Sequence, residues 1–228
     1  MKKIIFGIFA HPDDESFGPA GTLLMEAKSG TDVHLVTLTA GDAGTNPDNH
    51  TDLGKARLKE WNQAGKLMGA KSMQFLGYKD GTLSNLNMIA ICQQLTDLIS
   101  AVIQHEPADT VIELMSLDLN GLTGHIDHIV AARSACYAFY RLKEKDPRFS
   151  RIRLACIPEK QAKTHNTSWL FMESGRPTSE VDEIIDATSY QDELRAIVKA
   201  HYTQRSDGEK YLQTVGDDLG MNYFIVKS

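Results

Sequence analysis

From Ile4 to Phe9 every position except Gly7 is apolar, and the run Lys3 to Phe9 predicts a strand buried on both faces. Gly18 to Ser29 has helical spacing and stops at Gly30. Val33 to Thr39 predicts a second strand, followed by the turn-rich stretch Gly41 to Asn49. Leu53 to Met68 reads as a helix closed by Gly69, and Ser72 to Leu76 as a short third strand. Met88 to Gln104 is a long helix with an apolar face, ended by Pro107. Thr110 to Met115 predicts a fourth strand and Ile126 to Lys143 the helix after it. Beyond Ser150 the pattern weakens. Arg151 to Ile157 and Val181 to Ile185 read as strands, Tyr190 to His201 as a helix and Tyr223 to Val226 as a last strand. Alternating strands and helices place the chain in the α/β class. A doubly wound, mostly parallel sheet with helices on both faces is expected, a Rossmann-like three-layer α/β/α arrangement. No repeat, low-complexity tract or linker interrupts it, so residues 1–228 read as a single domain.

Composition narrows the function classes. Hydrophobic residues make up 42% and charged residues 24% of 228, enough for a sizeable core, which excludes wholesale disorder, collagen and coiled coil. The net charge of -6 gives no electrostatic help towards nucleic acid or anionic lipid. Arg195, Lys199, Arg205 and Lys210 read as a solvated helical face. Cys92, Cys136 and Cys156 lie far apart with no CxxC pair, against both a disulfide scaffold and a cysteine-built zinc site. A reducing cytoplasm is the simplest compartment. No apolar run reads as a membrane span. Lys2-Lys3 and the short apolar run after them read as the first strand, not a targeting segment.

The candidate chemistry sits where strands stop. In parallel sheets, function lies at the carboxyl ends of the strands. After the first strand comes Ala10-His11-Pro12-Asp13-Asp14-Glu15. A dinucleotide-binding protein places glycines there to cradle a pyrophosphate; three carboxylates would repel phosphate and suit a cation. After the fourth strand comes Gly124-His125-Ile126-Asp127-His128, where the two histidines share one face of a helical first turn. Either cluster alone reads equally well as a turn or a helix start. Together, on two strand ends, they offer imidazoles and a carboxylate with a position left open, an arrangement suited to catalytic zinc, with iron, cobalt and manganese as alternatives.

The pair of motifs resembles the zinc-dependent de-N-acetylases of the PIG-L/LmbE-like family. Supporting stretches are Thr39 to Thr45, Arg57 to Gly69, Gly77 to Leu83 and His201-Tyr202-Thr203-Gln204, so the resemblance runs to about residue 204. Ile126 stands where the family usually has Pro. The resemblance implies His11, Asp14 and His128 as ligands of one Zn²⁺ per subunit. It implies Asp13 as general base, His125 as the group that stabilises the oxyanion or protonates the leaving amine, and Asp127 as an orienter of a histidine. It also nominates Arg57, Asp80, His201 and Gln204 for substrate binding. Bland readings stand beside these. Arg57 could pair with Glu60 on a helix surface, Asp80 could simply form the turn before Gly81, and His201 could be an ordinary packed histidine. Asp42 and Asn46 could line the mouth or form turns, and the loop Leu117 to Thr123 could shape the pocket. His34, Trp61 and Trp169 read as structural.

The expected activity is removal of an acetyl group from an amino sugar, such as an N-acetylglucosaminyl conjugate, by metal-activated water. One alternative is a different small-molecule amide, of a thiol conjugate or secondary metabolite. Another is a nucleotide-binding Rossmann-like domain without hydrolysis, which the carboxylates and the missing GxGxxG disfavour. A third is a non-catalytic zinc-binding protein, for which Asp13 and His125 would be superfluous. No nucleic-acid or membrane partner is expected, and the resemblance favours a homo-oligomer.

Overall fold

The computed structural model describes residues 1–162 and 175–228; Trp169 lies outside them. Seven strands form one sheet: β1 (Lys3–Phe9), β2 (Asp32–Thr39), β3 (Ser72–Tyr78), β4 (Val111–Leu117), β5 (Phe149–Cys156), β6 (Glu183–Asp186) and β7 (Met221–Lys227). Their order is β3-β2-β1-β4-β5-β7-β6. The first five are parallel; β7 runs antiparallel to β5 and to β6. The helices are α1 (Asp14–Phe17), α2 (Ala20–Lys28), α3 (Leu53–Met68), α4 (Asn85–Ile103), α5 (Gly121–Gly124), α6 (Ile126–Lys143), α7 (Glu159–Ala162), α8 (Gln191–Lys199) and α9 (Arg205–Val215).

Strand alternation divides the core into two layers. Ile4, Phe6 and Ile8 of β1 pack with Ile91, Leu95 and Ile99 of α4 and Ala135 and Phe139 of α6. Ile5 and Phe9 face the other way, against Leu23 of α2, Trp61 and Met68 of α3, and Ile197 of α8. Both faces of the central strand are therefore dry, which is why β1 lacks a polar stripe. Local signals fix the helix ends. The Asp52 carboxylate accepts from Lys55 N at the start of α3, and Gly69 closes that helix at φ 82°. Ser84 and Asn87 form a capping box at the start of α4.

The bounds of β1, α3 and α6 are those expected from the sequence. β3 runs two residues past its expected end, α4 starts three residues before its expected start, and α9 is an unexpected helix. Arg195 and Lys199 belong to α8, but Arg205 and Lys210 belong to a separate helix, α9, so the four do not form one helical face. Arg205 instead pairs with both carboxylate oxygens of Asp48. By length and composition α4 is apolar enough to cross a membrane, contrary to expectation; in this fold one of its faces packs on the sheet. All three cysteines are free.

Chain order reverses beside β1, which leads to β2 on one side and has β4 on the other. The loops after β1 and β4 thus leave the sheet side by side, at the switch point where open α/β sheets open a crevice. The two polar clusters occupy those two loops.

Candidate metal centre and active site

Asp13 precedes α1 with φ 118° and ψ -25°. This left-handed backbone turns the chain sharply enough to direct Asp13 and Asp14 differently. Asp14 Oδ2 accepts from the backbone N–H groups of Ala10 and His11, 3.0 Å each. Its Oδ1 lies 3.1 Å from His128 Nε2. His128 donates Nδ1–H to Gly121 O at 3.1 Å, so in the neutral ring Nε2 carries a lone pair. That lone pair points at His11 Nδ1, 3.1 Å away. His11 turns its other nitrogen to Asp80 Oδ1 at 2.9 Å and Asp127 Oδ2 at 3.5 Å, close polar contacts that fall short of aligned hydrogen bonds. Asp80 is itself held by Ala43 N, and Asp127 by Gly81 N and Leu83 N.

His11 Nδ1 and His128 Nε2 lie 3.1 Å apart, with Asp14 Oδ1 3.1 Å from His128 Nε2 and Asp14 Oδ2 3.8 Å from His11 Nδ1; His125 also brings a ring nitrogen near those of His11 and His128. Two arrangements make the contact favourable: His11 Nδ1–H donating to His128 Nε2, or a cation shared by the two nitrogens and the Asp14 carboxylate. Tetrahedral zinc, with bonds of about 2.0–2.1 Å, needs ligand atoms roughly 3.3 Å apart, so the donor set fits a divalent ion. The carboxylates behind His11 would fix its tautomer and raise its basicity. Charge compensation shows in the proton affinities too. Burial opposes a charge on His11, but Asp127, Asp14 and Asp80 outweigh it and hold its pKa well above the ordinary histidine range. Burial likewise opposes ionisation of Asp14, yet His128 and His11 hold it well below the carboxylate range. Asp80 is lowered to about 2 despite burial, through its contact with His11.

Asp13 faces the cavity beside these ligands. Burial raises its pKa to about 6 against the pull of Arg57. Arg57 is buried, and its guanidinium spans Gly41 O, Pro12 O and Asp13 Oδ2 at 2.7, 2.7 and 2.9 Å. It thus clamps the unusual backbone at Asp13 and the carboxylate together, and does not pair with Glu60, which instead accepts from Thr203. A Cβ at Gly41 would lie 2.4 Å from this guanidinium, at φ 67°, so glycine is required there. His125 caps α6, its Nδ1 accepting from Asp127 N at 3.2 Å. Its Nε2 then carries the proton. Burial and the neighbouring His128 and His11 lower its pKa, which suits a neutral ring that donates through Nε2–H.

His201 and Gln204 lie behind this front, off the cavity wall. His201 Nε2 is 2.9 Å from Ser16 Oγ and 3.3 Å from Glu15 Oε1, and Gln204 bonds to both Thr45 O and Thr45 Oγ1. Glu15 has no exposed surface and also accepts from Trp61 Nε1 at 3.1 Å, so Trp61 is more than packing. Sequence reasoning gave Glu15 no role; the signal was there, a third carboxylate after a strand that needs buried donors. The cavity, about 700 Å³, continues from the ligands towards α9 and β7, a wall that sequence reasoning did not foresee. Asp42 is an exposed turn residue; Asn46 is half-buried and bonds to the backbone of His50.

The Asp80 contact predicts a measurable effect. Asp80→Asn should weaken divalent-metal affinity about 10- to 100-fold, because the carboxylate that polarises His11 is lost. A competition titration against a chromophoric chelator measures it; unchanged affinity would confine Asp80 to its turn.

Comparison with known proteins agrees with this geometry. The family model described as PIG-L: GlcNAc-PI de-N-acetylase matches residues 6–139. A 1D-myo-inositol 2-acetamido-2-deoxy-alpha-D-glucopyranoside deacetylase of Nocardiopsis dassonvillei is 30% identical, over 90% of this chain and 86% of its own. A probable N-acetyl-alpha-D-glucosaminyl L-malate deacetylase 2 of Bacillus subtilis is 27% identical, over 90% and 84%. Among solved structures, the N,N'-diacetylchitobiose deacetylase from Pyrococcus horikoshii superposes with TM-score 0.69 at 19% identity, over 99% of this chain and 83% of its own. The 4-carboxy-2-hydroxymuconate hydratase GalB from Pseudomonas putida KT2440 gives the same score at 18% identity, over 100% and 97%. These two likenesses are of fold alone, and the fold serves more than one reaction. The family match is different in kind: its span takes in both the His-Pro-Asp-Asp-Glu loop and the His-x-Asp-His helix start, and the chain belongs to the GlcNAc-PI de-N-acetylase (PIG-L) family.

Proposed function

We propose that the protein hydrolyses the N-acetyl group of an N-acetylglucosaminyl conjugate, using one zinc ion held by His11, Asp14 and His128. The observation that carries this reading is the convergence of those three ligands on a cavity that also presents Asp13 and His125. A divalent ion there would polarise the amide carbonyl and acidify a nearby water. Asp13, with a pKa raised to about 6, is poised to take a proton from the attacking water near neutral pH. Arg57 keeps its carboxylate oriented. The Nε2–H of His125 donates to the carbonyl oxygen as charge builds there, a contribution of roughly 3 kcal/mol for such a donor. The proton gathered by Asp13 then passes to the amide nitrogen as the C–N bond breaks, so that the amine leaves neutral and acetic acid remains, which loses its proton to solvent near neutral pH. The relatives named above act on conjugates of inositol and of malate, so their names agree on the acetylated sugar and differ in what it carries.

The test is a panel of N-acetylated amino sugars and simple amides, assayed for free amine. Zinc-loaded protein should release amine from N-acetylglucosaminides, chelation should abolish the activity, and added Zn²⁺ should restore it. Full activity after verified metal removal would end this reading.

A further inference from the structure

Beyond its polar front the cavity changes character. Phe17, Leu117, Leu122, Ile157, Tyr211 and Val215 wall its path away from the ligands. Phe17 and Tyr211 stack, with ring centroids 5.4 Å apart and planes at 20°. The lining groups along this stretch that could meet sugar hydroxyls are few, the phenol hydroxyls of Tyr211 and Tyr223 among them. Arg57 is committed to Gly41, Pro12 and Asp13, and Asn222 to Thr22 and Gly18. Gln161 already has a partner. Asp207, Lys210, Thr214 and Asp218 are exposed residues of the rim.

The apolar wall is tied to the metal centre by one turn. Leu122 has φ 60° and ψ -57°, a conformation rare for a leucine, and its N–H is held by Asn120 Oδ1 at 2.9 Å. The preceding residue, Gly121, accepts the Nδ1–H of His128. The turn that aims a ligand nitrogen thus also sets a leucine into the cavity wall. An acetyl group brings a single methyl to this space. The remaining volume, within the range of sites that hold drug-sized ligands, would keep water against hydrocarbon.

We propose that the scissile amide carries an extended apolar substituent, alkyl or aryl, which lies along this wall. The proposal rests on the hydrolytic reading above and narrows its substrate class. The substituent has two sources, the acyl chain or the aglycone of the sugar, and hydrolysis releases the carboxylic acid and the amine in either case. Each methylene buried there should add about three- to fourfold.

Two substrate series with zinc-loaded protein test it: N-acylglucosamines from acetyl to octanoyl, and N-acetylglucosaminides with methyl, octyl and naphthyl aglycones. We expect kcat/KM to rise at least about tenfold along one series, which identifies the source. In Val215→Asp the ratio between the longest and shortest members should fall towards one. Loss of folded protein would lower both ends alike and leave that ratio in place. Product binding by calorimetry, octanoate against acetate and octyl glucosaminide against glucosamine, reads the same preference without turnover. Both series flat, with N-acetylglucosamine itself turned over, would overturn the apolar wall as a specificity element and leave the deacetylase reading standing. No turnover of any amide would overturn the deacetylase reading, and equal binding of long and short products would then overturn the apolar preference as well.

Discussion

Asp13→Asn is expected to lower kcat about 10³-fold while the protein keeps its full complement of metal. Asparagine has the shape of aspartate and can still accept from Arg57, so the clamp across Pro12, Asp13 and Gly41 survives. What it lacks is an oxygen able to take and return a proton. General acid–base assistance of this kind is worth about 10²- to 10⁴-fold, and the loss falls within that range. Asp13 makes no contact in the ligand triad, where His11, Asp14 and His128 face one another. Elemental analysis and kcat on an N-acetylglucosaminide, measured on the same preparation, check both halves. A variant as fast as the parent would move the base elsewhere.

His128→Ala should act in the opposite order: the metal goes first and activity with it. Carboxylates that hold the far nitrogen of a ligating histidine change metal affinity about 10- to 100-fold, and a directly facing imidazole should exceed that. Its removal leaves His11 Nδ1 and the Asp14 carboxylate, too few groups to close a tetrahedral site. Metal content well below one ion per chain is the expected reading, with circular dichroism to establish that the sheet is intact. Unchanged metal content would remove His128 from the ligand set. The two variants together separate a failure to bind the ion from a failure to move a proton.

The parallel half of the sheet was legible because its signals are local. β1 and β4 are apolar runs, and α3 and α6 have clear starts, at Asp52 and His125. The two polar clusters were legible because they follow those strands. The rest depends on contacts between segments remote in sequence. Arg57 sits three residues from Glu60, the spacing of a surface pair, yet its partner is Asp13, 44 positions away. His201 and Gln204 carry polar groups that read as substrate contacts, but the fold spends them on Glu15, Ser16 and Thr45. The lowered pKa of His125 comes from burial and two neighbouring imidazoles, which no spacing reveals. The C-terminal strands are short or half-exposed, so periodicity there is faint.

The place of β7 has a consequence for how the molecule is made. It lies between β5 and β6, so β6, although made earlier, has no strand to pair its backbone with until residues 221–227 arrive. A growing or shortened polypeptide would therefore hold Phe149–Cys156 as a bare border, its N–H and C=O groups open to pairing with another such border. Residues 11–128 include the three proposed metal ligands, whereas Tyr211 and Val215 come near the end. During synthesis the proposed metal site can form first, and the apolar wall of the cavity is built last.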